Sequence, residues 1–172
     1  MRNFIALAFA CLSLLASASS LAGTPGGLQI LVVHAPESAR FDATVNDYFS
    51  RHGLDVGDEC SNAQLNIDSV TTSTPLKNVG AADVFKAAAS KQEHKALARK
   101  LDRFRDADHP HGYDAAFAYR SEGEQLVFYA VGAFAPEPVR ISKLALSSLQ
   151  NRPSVDKAIC EALVHIPVNA EP

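Results

Sequence analysis

The stretch YDAAFAYRSEGEQLVFYAVGAF, residues 113–134, constrains the fold more than any other part of this chain. Two runs rich in β-forming residues flank the polar segment SEGE, which is the pattern of a β-hairpin. Nearly every position in both runs is apolar, so both faces of the predicted sheet must be covered. Helices commonly provide that cover. The hairpin therefore predicts an α/β domain with helices on both faces of one sheet.

Two more strands are predicted before the hairpin. The run LQILVVHA, residues 28–35, is short, continuously apolar and rich in β-branched residues, as in a strand buried on both faces. The run QLNIDSVTT, residues 64–72, alternates apolar and polar residues and predicts a strand near a sheet edge. Together these segments predict a mixed four-stranded sheet.

Helical spacing of apolar residues predicts the remaining elements, in the segments 36–53, 81–106, 140–151 and after Pro153. A capping-box pattern from Ser90 to Glu93 leaves open whether the second segment is one helix or two. Ser154 is expected to cap the last helix.

This element order resembles the thioredoxin-type fold with an extra C-terminal helix. The resemblance is one of topology. Where a thioredoxin carries its C-x-x-C motif, this chain has Ala35-Pro36-Glu37-Ser38, and no Pro directly precedes the third strand. Redox activity is therefore not expected to accompany this fold.

The first 22 residues have the layout of a cleaved signal peptide, with Arg2, an apolar run of 13 residues and small residues before Gly23. The apolar run is shorter than the roughly 20 residues that span a bilayer, so no stable membrane insertion is expected. Acylation at Cys11 is a weaker alternative, because this cysteine lies inside the apolar run. Residues 23–172 then form a single domain in the periplasm or outside the cell.

The charge of the mature chain limits its partners. Loss of Arg2 with the leader leaves 15 basic and 19 acidic side chains, so the formal charge moves from −3 to −4. A mildly acidic domain has no electrostatic attraction for nucleic acid or for anionic membranes. Another protein is the expected partner.

Two cysteines, Cys60 and Cys160, remain in the mature chain and predict one disulfide in an exported protein. The bridge would close a loop of about 100 residues, which the chain-entropy model values at roughly 4 kcal/mol. Their separation does not fit a C-x-x-C redox site, so a structural staple is favoured over catalytic thiols. We expect no free thiol in the oxidised protein.

The segment DADHPH, residues 106–111, crowds carboxylates and imidazoles together. Within it His109, His111 and Asp108 form a possible metal-binding set, because imidazole and carboxylate groups are common zinc and copper ligands. Pro110 instead favours a turn, and a solvated helix-to-strand connection has the same composition. The polar loop is the favoured interpretation, and no cofactor is predicted.

The segment HAPES, residues 34–38, follows the first predicted strand, where ligands bind in open α/β sheets. His34 and Ser38 are candidate ligand-binding residues there, with His34 as a possible base and Ser38 as a possible nucleophile. The G-x-S-x-G motif of hydrolases is missing. Glu37 and Ser38 are also typical of a first helical turn, and helix initiation is the favoured interpretation.

The predicted long helix has a basic side formed by Lys91, Lys95, Arg99, Lys100, Arg103 and Arg105. Acidic residues are interspersed, so a solvated face with ion pairs is favoured; as a functional surface it would bind an acidic protein.

No residue is assigned a catalytic role, and an enzyme is not favoured. The expected function is that of an exported protein-binding module, such as an inhibitor, an immunity protein or an accessory subunit of an envelope or secretion machine. The alternatives are a metal-binding protein or hydrolase using residues 106–111, and a redox-inactive thioredoxin-like chaperone or assembly factor.

Overall fold

A computed structural model describes residues 28–51, 67–73, 79–103, 112–133, 139–164 and 166. Within these ranges the chain forms one sheet of five strands and four α-helices. The strands are β1 Leu28–Val33, β2 Ile67–Ser73, β3 Ala115–Glu122, β4 Gln125–Gly132 and β5 Val139–Ala145. The helices are α1 Asp42–Arg51, α2 Ala81–Ala89, α3 Lys91–Arg103 and α4 Arg152–Leu163. The predicted α/β class is confirmed.

The strands lie in the order β2-β1-β3-β4-β5. Strand β1 is parallel to both β2 and β3, whereas β4 is antiparallel to β3 and β5 is antiparallel to β4. The predicted hairpin is confirmed as β3 and β4, and the predicted edge strand as β2. The count of four strands is wrong, and the thioredoxin-like arrangement is not confirmed.

The fifth strand replaces the first half of the helix that the sequence predicts over residues 140–151. Strand β5 pairs with β4 along its whole length, from Val139 opposite Val131 to Ala145 opposite Gln125. A 3-10 turn, Leu146–Ser148, follows it. The edge of β4 offers a row of backbone hydrogen-bond donors and acceptors that need partners. Pairing with them outweighs the weak local preference of residues 140–145 for a helix.

Successive side chains of the hairpin strands point to opposite faces of the sheet and enter two separate hydrophobic cores, one on each face. Phe117, Tyr119 and Phe128 pack with α1 and α4 on one face. Ala116 and Val127 pack with α2 and α3 on the other face. The sheet is therefore covered by helices on both sides, as predicted.

The helix boundaries follow local backbone signals. Ser90 adopts an extended conformation, with φ −146° and ψ 128°, and separates α2 from α3, so two helices form rather than one. The cap of α4 is Asn151, whose side chain accepts a hydrogen bond from the Ser154 backbone N–H at 3.1 Å. The prediction of Ser154 as the cap is wrong by three residues, because Arg152 and Pro153 already belong to the helix.

A bidentate ion pair joins α1 to α4. The Arg51 guanidinium donates to both carboxylate oxygens of Asp156, at 2.7 and 3.0 Å. It also donates to Asp47, one turn earlier, at 3.0 Å. The two helices on this face are therefore held together by a partly buried charge pair in addition to their apolar contacts.

Candidate functional site

The first candidate site lies where β3 continues past the end of β1. Pairing between these parallel strands ends at Val32 opposite Phe117, and β3 runs on to Glu122. The segment after β1 fills the space that is left. Because β2 lies on one side of β1 and β3 on the other, the chain order reverses here, and ligands favour such points in open α/β sheets.

Three polar side chains meet at this end of the sheet: His34 after β1, Asp42 at the start of α1 and Tyr119 in β3. We call them the His34 cluster. The Tyr119 hydroxyl donates to Asp42 Oδ1 at 2.7 Å. His34 Nδ1 lies 3.0 Å from the Tyr119 hydroxyl and 3.1 Å from Asp42 Oδ1. One imidazole nitrogen therefore faces two oxygen atoms.

The hydrogen bonds of Tyr119 and Asp42 favour a proton on His34 Nδ1. A tyrosine hydroxyl has one proton, and here it points to the Asp42 carboxylate, which can only accept. Burial, reinforced by the hydrogen bond to Asp42, raises the pKa of Tyr119 above its ordinary value, so the phenol keeps its proton. His34 Nδ1 therefore donates to these oxygens.

His34 Nε2 is buried and makes no hydrogen bond. The His34 side chain is 9% exposed, whereas the Asp42 side chain beside it is 31% exposed. The cluster therefore combines an oriented, unpartnered imidazole nitrogen with a carboxylate that reaches solvent.

Ser38 holds the chain segment next to the His34 cluster against β3. Its hydroxyl is fully buried and donates to the Tyr119 backbone carbonyl at 2.8 Å. That carbonyl lies beyond the last residue of β3 that pairs with β1. Ser38 thus replaces a missing strand partner and anchors the 3-10 turn Pro36–Phe41 to β3. In this position its hydroxyl is not presented to a ligand.

The second candidate site is the outer side of α3. Lys91, Lys95, Arg99 and Arg103 are all exposed and follow one another at intervals of four residues; we call them the basic surface of α3. The opposite side of the helix, with Leu97 and Leu101, is buried against the sheet. The helix thus separates an apolar face from a cationic one.

A groove of about 480 Å³ runs along this surface, lined by Lys91, Gln92, Lys95, Ala96 and Arg99. On the flank of the helix, Lys100 is paired with Asp83 of α2 at 3.2 Å. In contrast, no carboxylate within the described ranges forms an ion pair with Lys95, Arg99 or Arg103. Within the described part of the chain, an ion pair neutralises none of these three charges.

The predicted metal-binding set, Asp108, His109 and His111, lies outside the described residues. Its neighbour Asp114 is described and has a structural role: its carboxylate accepts a hydrogen bond from the Gln29 backbone N–H at 2.8 Å. In the described part of the chain, no group of three His, Cys, Asp or Glu side chains is arranged to hold a metal ion.

Only one cysteine of the predicted disulfide lies within the described residues. Cys160 is buried in α4 and is not a free thiol. Cys60 and residues 1–22 lie outside the described residues, so the Cys60–Cys160 pairing and the signal peptide stay predictions. Among the described helices, none is long and apolar enough to cross a membrane.

Sequence reasoning found His34 and missed both of its partners. Asp42 is only eight positions along the chain, but nothing in the sequence distinguishes it from the other polar residues of the helical segment predicted over 36–53. Tyr119 is 85 positions from His34 and appeared as a core residue of the hairpin. The only available signal was the position of His34 at the end of a buried strand.

Comparisons with protein-family models, with curated proteins and with solved structures found no match to this chain. Its function is therefore argued from its own residues.

Proposed function

We propose that this chain is an exported, non-enzymatic protein that binds an acidic segment of another protein through the basic surface of α3. One observation carries the proposal: the exposed cations Lys95, Arg99 and Arg103 have no described carboxylate as an ion-pair partner. The whole chain has a formal charge of −3, so a local row of cations without a described counter-charge is a distinct electrostatic feature.

The spacing of these cations favours an extended segment. Four residues of an α-helix rise about 6 Å along its axis. Two residues of an extended strand span about 6.6 Å. A segment with Asp or Glu at alternate positions can therefore place one carboxylate near each successive cation of α3. The residues of the segment that lie between its carboxylates would occupy the groove. There they would contact the aliphatic parts of the lysine and arginine side chains and the small side chain of Ala96.

This mode of binding suits an inhibitor, an immunity protein or an accessory subunit of an envelope or secretion machine, because each acts by contact with another protein. Location in the periplasm or outside the cell belongs to the same proposal and is supported by the sequence of residues 1–22. Nothing in the described residues favours the metal-binding, hydrolase or thioredoxin-like chaperone alternatives over this one.

A fluorescently labelled peptide of alternating Glu and Ser tests the proposal directly. We expect saturable binding to the mature protein, weakened at least about tenfold by the double charge reversal K95E/R99E. The affinity should fall steeply with salt, because the contacts are exposed. An alternating Lys and Ser peptide should not bind.

The matched control is R140E/K157E, which reverses one arginine and one lysine elsewhere on the protein. Both side chains are exposed and lie on β5 and α4. If this control weakens peptide binding as much as K95E/R99E does, net charge rather than the basic surface of α3 is responsible, and the proposal is wrong.

A further inference from the structure

The groove on the basic surface of α3 is apolar inside, although lysine and arginine side chains form much of its lining. The described residues that line it are Lys91, Gln92, Lys95, Ala96 and Arg99. Most of the surface that they present to the groove is apolar. Long cationic side chains keep their charged ends in water and offer their aliphatic parts to such a groove. The groove therefore combines cationic groups at its edge with an apolar interior.

The lining residues lie in two rows on the helix. Lys91, Lys95 and Arg99 follow one another at intervals of four residues, and Gln92 and Ala96 lie in the neighbouring row. Along the helix axis, Gln92 lies between the first two cations and Ala96 between the second and the third. The two gaps between successive cations therefore differ, because one adjoins an amide side chain and the other adjoins a methyl group.

The extended acidic segment of the proposed function would meet these two rows in alternation. Successive side chains of an extended chain point to opposite sides. If its carboxylates point to the cations, the side chains between the carboxylates point to the row of Gln92 and Ala96. The side chain between the carboxylates that face Lys95 and Arg99 then lies over Ala96. Ala96 is exposed and has the smallest side chain of the lining, so there is space at this position for a larger apolar group.

We propose that the basic surface of α3 recognises an acid–apolar–acid sequence, in which Asp or Glu faces Lys95 and Arg99 and an aliphatic side chain of about the size of leucine packs over Ala96. This inference rests on the proposed function and specifies the partner further. Charge complementarity between the carboxylates and the two cations sets the position of the segment on the helix. Removal of the aliphatic side chain from water selects this segment over one that is only acidic.

Three labelled peptides of equal length test this inference. The Ser peptide alternates Glu and Ser, the Leu peptide replaces one central Ser by Leu, and the neutral peptide replaces every Glu of the Leu peptide by Gln. We expect the wild-type protein to bind the Leu peptide at least about fivefold more tightly than the Ser peptide, because the leucine side chain is partly removed from water. Salt should weaken both acidic peptides and leave the ratio of their affinities nearly unchanged, because salt screens the charges. The neutral peptide should not bind.

The variant Ala96→Gln locates the preference on the helix. Glutamine is a good helix former at an exposed position, and it places at this gap the same amide group that Gln92 places at the other. The variant should bind the Ser peptide within about twofold of the wild type and lose the preference for the Leu peptide. The matched control is Ala82→Gln, at an exposed position of α2 that is not part of the groove lining, and it should keep the preference.

The outcomes separate this inference from the proposed function. Equal affinities of the wild type for the Ser and Leu peptides would overturn the inference and leave the proposed function standing. If neither acidic peptide binds, both are wrong. A preference that Ala96→Gln retains, or a neutral peptide that binds as tightly as the Leu peptide, would also overturn the inference. A preference for the Leu peptide that is kept by Ala82→Gln and lost in Ala96→Gln supports recognition of an acid–apolar–acid sequence.

Discussion

Removal of the charge at Asp156 is the sharpest stability test that this structure offers. The Asp156 side chain is 9% exposed and accepts two hydrogen bonds from Arg51. The variant Asp156→Asn keeps the shape of the side chain and leaves the Arg51 guanidinium, 23% exposed, without its main counter-charge. The perturbation therefore removes the negative charge from the contact between α1 and α4.

The expected magnitude follows from burial. Breaking a buried ion pair by removing one partner costs about 3–5 kcal/mol. Here Arg51 is partly solvated and keeps Asp47 at 3.0 Å, so we expect a smaller loss of about 2–3 kcal/mol. For a domain near 150 residues that corresponds to a decrease in Tm of about 5–10 °C.

Urea unfolding followed by circular dichroism measures this loss, with Asp47→Asn as the control. The Asp47 carboxylate is exposed, so its variant should lose less than about 1 kcal/mol. The double variant R51M/D156L replaces both charges by apolar groups and should be more stable than Asp156→Asn. If Asp156→Asn unfolds within about 0.5 kcal/mol of the wild type, the reasoning about this contact is refuted.

Three further predictions concern a glycine, a buried hydroxyl and a carboxylate. Gly112 has φ +80°, and a Cβ there would lie 2.8 Å from a backbone carbonyl oxygen. Gly123 has φ +60° with open space around it, so Gly112→Ala should cost at least about 1 kcal/mol more unfolding free energy in urea than Gly123→Ala. Equal losses would contradict this. Ser38→Ala should lose about 1–3 kcal/mol of unfolding free energy, because a buried carbonyl loses its donor, and an unchanged midpoint would argue against that anchor. Hydrogen bonds, first from the Tyr129 hydroxyl and then from Arg120, lower the pKa of Glu122 in the folded protein. The ionised side chain therefore stabilises the fold at pH values above the ordinary carboxyl pKa of about 4.3. This stabilisation disappears as the pH falls through the lower pKa of the folded state. The Glu122 side chain is 38% exposed, so Glu122→Gln should cost less than about 1 kcal/mol at neutral pH, and this cost should shrink as the pH falls into the acid range; a pH-independent difference would exclude the carboxylate as its source.

The parts of the fold that the sequence predicts are those in which local pattern and tertiary contacts agree. The hairpin is an example, because its two apolar runs and the turn at Gly123 indicate the same structure. The segment 139–145 is the opposite case. Its residues carry no strong strand pattern, and only the free edge of β4 makes them a strand.

The candidate sites differ in the same way. The basic surface of α3 could be predicted, because its residues belong to one helix and their spacing is visible in the chain. The His34 cluster could be predicted only at His34, since its partner Tyr119 is brought there by the parallel pairing of β1 with β3. Such long-range contacts leave no mark in a single sequence.

The proposed function is tested most directly by capture of partners with the tagged mature protein from its native envelope and culture fluid. Wild type, K95E/R99E and R140E/K157E are compared by quantitative mass spectrometry, after each is shown to be folded. The account predicts one stoichiometric protein with an acidic segment, retained by the wild type and by R140E/K157E and lost from K95E/R99E. Equal retention of that protein by all three would contradict a role for the basic surface of α3.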